Sequence, residues 1–345
     1  MKDKDRYWDC LDQAMEASHG GRTDEALAWL DEALKAHPEG AEAHNGRGEI
    51  LWDESKFDEA LAEFELAVKA DPKFVAAHLN RAELLVEEFG AHEDAIGHCD
   101  RLLAGGGELP RLDRGIEAEV YYLKAKALFY QNDLPGALFL LRRAMKTGGE
   151  QDVYRAFEGQ LLFEQGRFEE ARRQLERAVN LNPDAAHAVY HLGLVLERLG
   201  AADEAGRMFE RAHALDPELY SVPAELDDET FERTAREALE DLPRSLRETA
   251  QRIPVLIEDL PGEELLEQLD QSPQILGIFI GTPRTEAAVT DQPRDLDRIV
   301  IFKKNLEKAC RDREELLEQI KITVSHELGH YLGLSEEDLE RLGLA

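Results

Sequence analysis

Two histidines and a glutamate near residue 330 are the side chains of this chain that are best suited to chemistry. They lie in the run His326-Glu327-Leu328-Gly329-His330, in which the histidines are four residues apart. Residues at this spacing share one face of a helix, so both imidazoles are placed to bind a single zinc ion. Glu327 lies beside them, where a carboxylate is placed to accept a proton from a water on the metal. The spacing predicts a zinc site with a general base. The alternative is a solvent-exposed helix on which two histidines have this spacing by chance.

The residues around this run predict the helix that must position it. Apolar side chains recur before it at helical spacing, namely Leu316, Leu317, Ile320 and Val324. Gly333 follows the run, and glycine is the residue type that most often ends a helix and reverses the chain. We therefore expect this run to lie on a helix that ends near Gly333.

The third ligand of the zinc ion is less clearly marked. A catalytic zinc ion usually takes three protein ligands and leaves one position for water. Only His326 and His330 follow His213, so the third ligand is expected to be a carboxylate. A turn at Gly333 would bring Glu336 back toward the metal, and the competing candidates are Glu337, Asp338 and Cys310. An alternative role for Glu336 is in the cap and acidic first turn of a last helix, at 337–342.

Composition narrows the partners and the compartment that we expect. Acidic residues number 73 and basic residues 41, which gives a formal net charge of −32 over 345 residues. Such a field repels nucleic acid and anionic membrane surfaces, and it favours basic or neutral partners. The three cysteines predict no disulfide framework, and no apolar run approaches the length of a signal core or membrane span. A cytoplasmic protein is therefore expected.

A repeat with a period of 34 residues fills the first two-thirds of the chain. Pro38 and Pro72 are 34 residues apart, and so are Pro183 and Pro217. Each unit has a small residue, an alanine, a bulky apolar residue and a second alanine at fixed positions. These are Gly48, Ala60, Phe64 and Ala67 in the second unit, Gly159, Ala171, Leu175 and Ala178 in the fifth, and Gly193, Ala205, Phe209 and Ala212 in the last. Small residues let two antiparallel helices approach closely, and bulky ones fill the gap to the next pair.

This pattern resembles the tetratricopeptide repeat. The resemblance implies an α-solenoid of about six helix pairs over residues 1–220. Such an array has a concave groove, lined by the first helix of each pair, that binds a protein or peptide partner. The side chains expected to face this groove are Glu42, Asn45, Glu49, Asp53, His187, Tyr190 and Glu197. Their charge suits a basic or mixed-charge segment, although solvated helix faces have a similar composition.

A different domain is expected after Pro217. A linker near Ser221 leads to an amphipathic helix at about 231–242 and a second at about 244–252. Three runs typical of strands follow, at 253–258, 275–280 and 298–302. Helical structure is expected again from Asn305 onward, and it is expected to run, with or without a break, into the helix that carries His326 and Glu327. Helices on one side of a small sheet form an α+β layout, so the whole chain is predicted to be mainly α with a small α+β domain.

Residues 226–345 resemble a small bacterial family of minimal zincin-like metallopeptidases. The resemblance rests on four runs besides the opening helix, namely Val255-Leu-Ile-Glu-Asp259, Leu276-Gly-Ile-Phe-Ile-Gly-Thr-Pro-Arg284, Arg298-Ile-Val-Ile-Phe302 and Thr323-Val-Ser-His-Glu-Leu-Gly-His-Tyr-Leu-Gly-Leu-Ser-Glu-Glu337. It implies a zincin fold, one zinc ion and metallopeptidase activity. Longer zincins of the metzincin kind carry His or Asp at the place of Glu336. They also have a methionine turn, whereas this chain has no methionine after Met208, so the floor of the site must be built otherwise.

Together these patterns predict a zinc-dependent peptidase whose repeat array recruits a protein that the domain at 226–345 cuts. Zincins bind an extended peptide along an edge strand, which would be drawn from 276–280 or 298–302. The main alternative is a non-catalytic adaptor with a structural or vestigial zinc site. The intact Glu327 argues against that alternative, because a structural site needs no general base. A zinc hydrolase that acts on other bonds is the third alternative.

Overall fold

The computed structural model of the protein describes residues 2–107, 109–240, 253–269, 271–281 and 297–342. They belong to two compact units, Met1–Tyr154 and Arg155–Ala345. The helix expected at 244–252 lies outside the described residues. In the part of the chain that is described, no helix is both long and apolar enough to cross a membrane.

The first unit is built from helices that pack in pairs. Its helices are α1 Lys2–His19, α2 Thr23–Ala36, α3 Ala41–Asp53, α4 Phe57–Ala70, α5 Val75–Glu87, α6 His92–Ala104, α7 Arg114–Tyr130 and α8 Leu134–Gly148. The bulky Phe64 shares a core cluster with Leu84 of the next helix pair, as the sequence predicts, and it also packs against the small Gly48 of its own pair, which the sequence interpretation did not state. A Cβ atom at Gly48 would lie 2.5 Å from the ring of Phe64, so only glycine lets α3 and α4 approach this closely.

Two more pairs follow, which lie in the second unit apart from the first three residues of α9, and they repeat the same contact. They are formed by α9 Asp152–Glu164 with α10 Phe168–Leu181, and by α11 Ala186–Arg198 with α12 Ala202–Leu215. A Cβ atom at Gly193 would lie 2.7 Å from the ring of Phe209. The predicted α-solenoid class with six helix pairs is thereby confirmed, with four pairs in the first unit and two that lie almost wholly in the second.

The rest of the second unit is a small α+β structure, also as predicted. Its elements are α13 Asp228–Glu240, β1 Val255–Glu258, α14 Glu263–Leu269, β2 Gly277–Ile280, β3 Arg298–Phe302, α15 Lys303–Ala309, α16 Arg313–Leu332 and α17 Glu336–Leu342. The described strands form a sheet in the order β1-β3-β2. Central β3 pairs in parallel with β1 and antiparallel with β2, with Val300 opposite both Leu256 and Ile278.

One hydrophobic core joins the sheet to its helices. Buried side chains come from α13, β3, α15 and α16, among them Phe231, Ile299, Ile301, Leu306, Leu316, Ile320, Val324 and Leu328. Helix α16 packs against α13, β2, β3 and α15. The face of α16 that holds the two histidines is fixed by this packing, because the apolar face is committed to the core.

Candidate metal centre

Helix α16 is the element that carries the predicted metal ligands, and both of its ends are well defined. At its start the Asp312 carboxylate accepts hydrogen bonds from the backbone N–H groups of Glu314 and Glu315, at 2.8 and 3.0 Å. At its end Gly333 has φ 77°, in the left-handed region that favours glycine. The predicted helix, including its stop at Gly333, is confirmed.

The two histidines of α16 converge on one point. Their Nε2 atoms are 3.0 Å apart, and the rings meet nearly edge to face at 83° with centroids 4.7 Å apart. Two nitrogens bound to one tetrahedral zinc ion at about 2.0–2.1 Å lie roughly 3.3–3.4 Å apart. A slight separation of the rings would therefore let His326 and His330 occupy two positions around one zinc ion. The donor chemistry and the spacing fit a zinc site.

Glu327 lies at the boundary between α16 and strand β2. The residue is only 8% exposed, and its Oε2 atom accepts a hydrogen bond from the backbone N–H of Phe279 at 2.7 Å. That N–H is therefore engaged by the helix and not by neighbouring β3. The predicted general base thus lies at the edge of β2 that faces away from the paired strand.

A glycine in β2 allows the strand to pass this close to α16. A Cβ atom at Gly277 would lie 2.7 Å from Cγ2 of Thr323 and 3.3 Å from Cγ of Glu327. Thr323 and Glu327 are four residues apart on α16 and so face the strand together. Tyr331, one turn further, is buried and packs against the ring of Phe279 with centroids 5.5 Å apart. Tyr331 therefore supports the strand and belongs to the core.

The third ligand is not assigned by the described residues, among which no group of three His, Cys, Asp or Glu side chains is arranged to hold a metal ion. Glu336 is the first residue of α17, but its side chain lies outside the described part of the structure. Its placement next to the two histidines therefore stays a prediction.

The alternative ligands occupy other environments. The Asp338 carboxylate accepts the hydroxyl hydrogen of Ser335 at 2.9 Å and pairs with Arg341, and the Ser335 hydrogen bonds lower its pKa. Cys310 is 1% exposed within the hydrophobic core, where burial raises the pKa of its thiol to about 11. Such a thiol resists the deprotonation that metal binding requires. Glu337 is exposed to solvent.

The predicted groove residues of the first unit lie in three different environments. Asn45 donates from Nδ2 to Oε1 of Glu49 at 2.9 Å, and Asn80 of α5 donates to both residues, at 3.1 and 2.9 Å. Glu42 instead accepts the hydroxyl hydrogen of Tyr7 at 2.9 Å, which ties α3 to α1. Asp53 is exposed at the last position of α3.

The groove residues of the last repeat lie on α11. His187 is exposed, and its ring centroid lies 4.2 Å from that of buried His191. Tyr190 is half-buried against Tyr220 of the segment that follows the repeats, with centroids 4.8 Å apart. Desolvation raises the pKa of Tyr190 to about 12. Glu197 pairs with Lys308 at 2.5 Å and so takes part in a contact between α11 and α15.

Two groups that take part in these candidate sites were not predicted from the sequence. Asn80 follows Asn45 by 35 residues, so it is offset by one position from the period of 34, and a search allowing this offset would have found it. The backbone N–H of Phe279 carries no signal in the side-chain sequence. Its role depends on which strand lies next to α16, and that is a property of the tertiary fold.

Comparison with known proteins agrees with both parts of this architecture. A family model described as tetratricopeptide repeat matches residues 11–73, 50–110 and 158–219. A family model described as zincin-like metallopeptidase matches residues 250–344. No curated protein sequence matches the chain.

Solved structures similar to this chain share the repeat fold. The structure of pilF from Pseudomonas aeruginosa has a TM-score of 0.51 and 14% identity, over 63% of this chain and 95% of that one. PilW, described as a type IV pilus biogenesis factor, has a TM-score of 0.53 and 18% identity, over 61% and 94%. A tetratricopeptide repeat protein from Parabacteroides merdae has a TM-score of 0.52 and 14% identity, over 61% and 78%. At these identities the likeness concerns the fold alone. Family models thus find tetratricopeptide repeats in the N-terminal region of the chain and a zincin-like metallopeptidase domain at residues 250–344.

Proposed function

We propose that the protein is a zinc-dependent peptidase with two domains. The repeat array at residues 1–220 would bind a protein partner or substrate, and the domain at residues 226–345 would catalyse peptide-bond hydrolysis. The observation that carries the proposal is the convergence of the His326 and His330 Nε2 atoms, 3.0 Å apart, on the helix that also carries buried Glu327. Tetratricopeptide repeats generally bind protein or peptide partners, and the domain after them is of a metallopeptidase type. The proposal joins these two properties in one reaction.

His326 and His330 are the residues that would hold the zinc ion, and Glu336 is our proposed third ligand. When bound, zinc polarises a peptide carbonyl and lowers the pKa of a water molecule toward neutrality. Glu327 would accept the proton of the attacking water and pass it to the leaving amine as the peptide bond breaks. Glu327 lies on the same turn of α16 as the two histidines.

The strand that binds the substrate is proposed to be β2. Of the two strands expected from sequence, β3 is paired on both sides, with β1 and β2, so it has no free edge for a peptide. Strand β2 ends the sheet formed by the described residues, and it lies against α16 next to Glu327. An extended peptide added to β2 would place its backbone beside the general base.

The partner in the groove is proposed to be a protein segment with basic side chains. Asn45, Glu49 and Asn80 form a connected set of amide and carboxylate groups across α3 and α5. Amide groups of this kind bind a peptide backbone, and the carboxylate favours a positive charge, in keeping with the net charge of −32. The proposed partners exclude nucleic acid and membranes, and the proposed location is the cytoplasm.

The decisive experiment compares the wild type with Glu327→Gln in full-length, zinc-loaded protein. Glutamine keeps the size of the side chain and an acceptor oxygen for the Phe279 N–H, but it is not a base. We expect unchanged zinc content and a loss of peptide cleavage by about 10²-fold or more, measured by comparing cleavage products across a whole-cell protein extract. Equal cleavage by the two proteins would refute the mechanism. Cleavage by neither, with partner binding intact, would favour the adaptor function.

A further inference from the structure

The contact between the last repeats and the zincin-like part of the second unit is centred on Arg198, the final residue of α11. Its guanidinium donates hydrogen bonds to the backbone oxygens of Pro261, at 2.6 Å, and of Pro273. It also lies over the ring of Phe168, 5.6 Å from the centroid. Burial lowers the pKa of Arg198 to about 10, so the side chain stays protonated at neutral pH. A planar group with five N–H donors is well suited to hold two carbonyls at once.

The carbonyl of Pro273 is held from a second direction. Asn305 of α15 donates from Nδ2 to the oxygens of Pro273 and Ile275, at 2.9 and 2.7 Å. Gln274, between them, donates from Nε2 to Oε1 of Glu164 on α9, at 3.0 Å. All three residues of the segment 273–275 are therefore fixed by side chains, and part of this support comes from the repeats.

This segment leads directly into the strand next to the candidate metal centre. Strand β2 begins at Gly277, two residues after the segment, and has only four residues. It pairs with β3 on one side, while its Phe279 N–H bonds Glu327 on the other. A strand so short, with one paired edge, depends on the anchoring of its first residues for its position along α16.

We propose that Arg198 is a positioning residue that holds β2 in register with Glu327, so that the last repeat forms part of the substrate site. The significance for substrate binding rests on the proposed function, since β2 is the proposed substrate strand. The structural claim is independent of hydrolysis. It states that removing the Arg198 hydrogen bonds loosens β2 selectively, without disturbing the zinc-binding face of α16.

A second contact between the same two parts provides a matched control. Lys308 of α15 pairs with Glu197 of α11 at 2.5 Å, and their side chains are 6% and 12% exposed. The pair crosses the same contact as Arg198, but neither side chain bonds the segment 273–275. The double variant Glu197→Gln/Lys308→Met removes both charges together, so that no unpaired buried charge is left behind.

The test is hydrogen–deuterium exchange on the full-length protein, read by mass spectrometry in peptides that cover 274–281 and, separately, α16. For Arg198→Ala we expect exchange in 274–281 to accelerate by about 10- to 100-fold, because bonds from a charged donor are lost. Exchange in α16 and the zinc content should stay within about threefold of the wild type.

Arg198→Lys guards against a variant that fails to fold. Lysine keeps the charge but does not bridge two carbonyls as a planar guanidinium does, so it should fold and show an intermediate acceleration in 274–281. The control variant should leave 274–281 near the wild-type rate. Unchanged exchange in 274–281 for both Arg198 variants, or equal acceleration by the control, would overturn the proposal. Because hydrolysis is not measured, failure of the peptidase mechanism in the Glu327→Gln comparison remains a separate result.

Discussion

Gly277→Ala tests the close approach of β2 to α16 on which the candidate site depends. The backbone of Gly277 lies outside the left-handed region, so alanine is tolerated by the local conformation. The added methyl group, however, would lie 2.7 Å from Cγ2 of Thr323 and 3.3 Å from both Cγ of Glu327 and the backbone oxygen of Val300. The closest of these atoms belongs to a β-branched side chain on a helix, which has little freedom to rotate away. Strand β2 must therefore move.

The expected cost follows from overpacking in a well-packed region. Inserting a methyl group of this kind costs typically about 1–3 kcal/mol, and a small gain of about 0.4–1 kcal/mol from the less flexible unfolded chain offsets part of it. We expect a net loss of about 1–2 kcal/mol, which corresponds to roughly 5- to 30-fold faster exchange of the slowest amides of α16. The Phe279 N–H should accelerate more, because its bond to Glu327 depends directly on the position of the strand.

Thr323→Ser identifies the atom that is responsible. Serine lacks Cγ2 but keeps the hydroxyl group, so it removes the closest contact and leaves the polar group in place. In the presence of Thr323→Ser, the cost of Gly277→Ala should fall by about 1 kcal/mol or more, as a double-mutant cycle would record. If Gly277→Ala were as stable as the wild type, the described distance between β2 and α16 would be wrong. If the cost were the same with and without Thr323→Ser, the clash would lie at Val300 instead.

Two further predictions concern the metal and the domain boundary. Glu336→Ala should release zinc to a mild chelator that the wild type resists, because loss of one of three ligands weakens binding by orders of magnitude. The control variants Glu337→Ala and Asp338→Ala should retain the zinc. If Glu336→Ala retained zinc and one control variant released it, the residue changed in that control would be the third ligand. The fragment 222–345 should fold and bind zinc alone, because both histidines lie within it. The longer fragment 155–345 should unfold at a higher temperature, because it retains the Arg198 hydrogen bonds. Equal unfolding temperatures would show that this contact contributes nothing to stability.

The features that sequence predicted best are those with local causes. The helix around the histidines follows from apolar residues at helical spacing before it and from Gly333 after it, and the structure ends α16 at Leu332. Strand β3 matches the run Arg298–Phe302 in full. In the repeats, the small residue at Gly48 was predicted from the requirement that two helices approach closely, and the structure places it in such an approach. In each case neighbouring residues along the chain carry the information.

The features that sequence did not predict depend on contacts between distant segments. Both β2 and β3 looked equally suited to bind a peptide, because strand order is set by tertiary packing and not by the composition of either run. Arg198 lies at the end of an ordinary repeat helix, and its importance comes from carbonyls 63 and 75 residues away. Such contacts leave no periodic signal in a single sequence.

The hydrogen bond from the Phe279 N–H to Glu327 directly connects the proposed substrate strand, β2, with the proposed general base. A peptide that adds to β2 at this position would need a hydrogen bond from the Phe279 N–H, which now donates to Glu327. In the proposed mechanism, the Oε2 atom of Glu327 holds the strand before the substrate binds, and a peptide that takes over the Phe279 N–H would release that oxygen. The position of β2 would then determine how firmly the Glu327 carboxylate is held. Gly277, which allows the close approach of the strand to α16, and Arg198, which bonds the segment before the strand, would both act on the proposed base through β2.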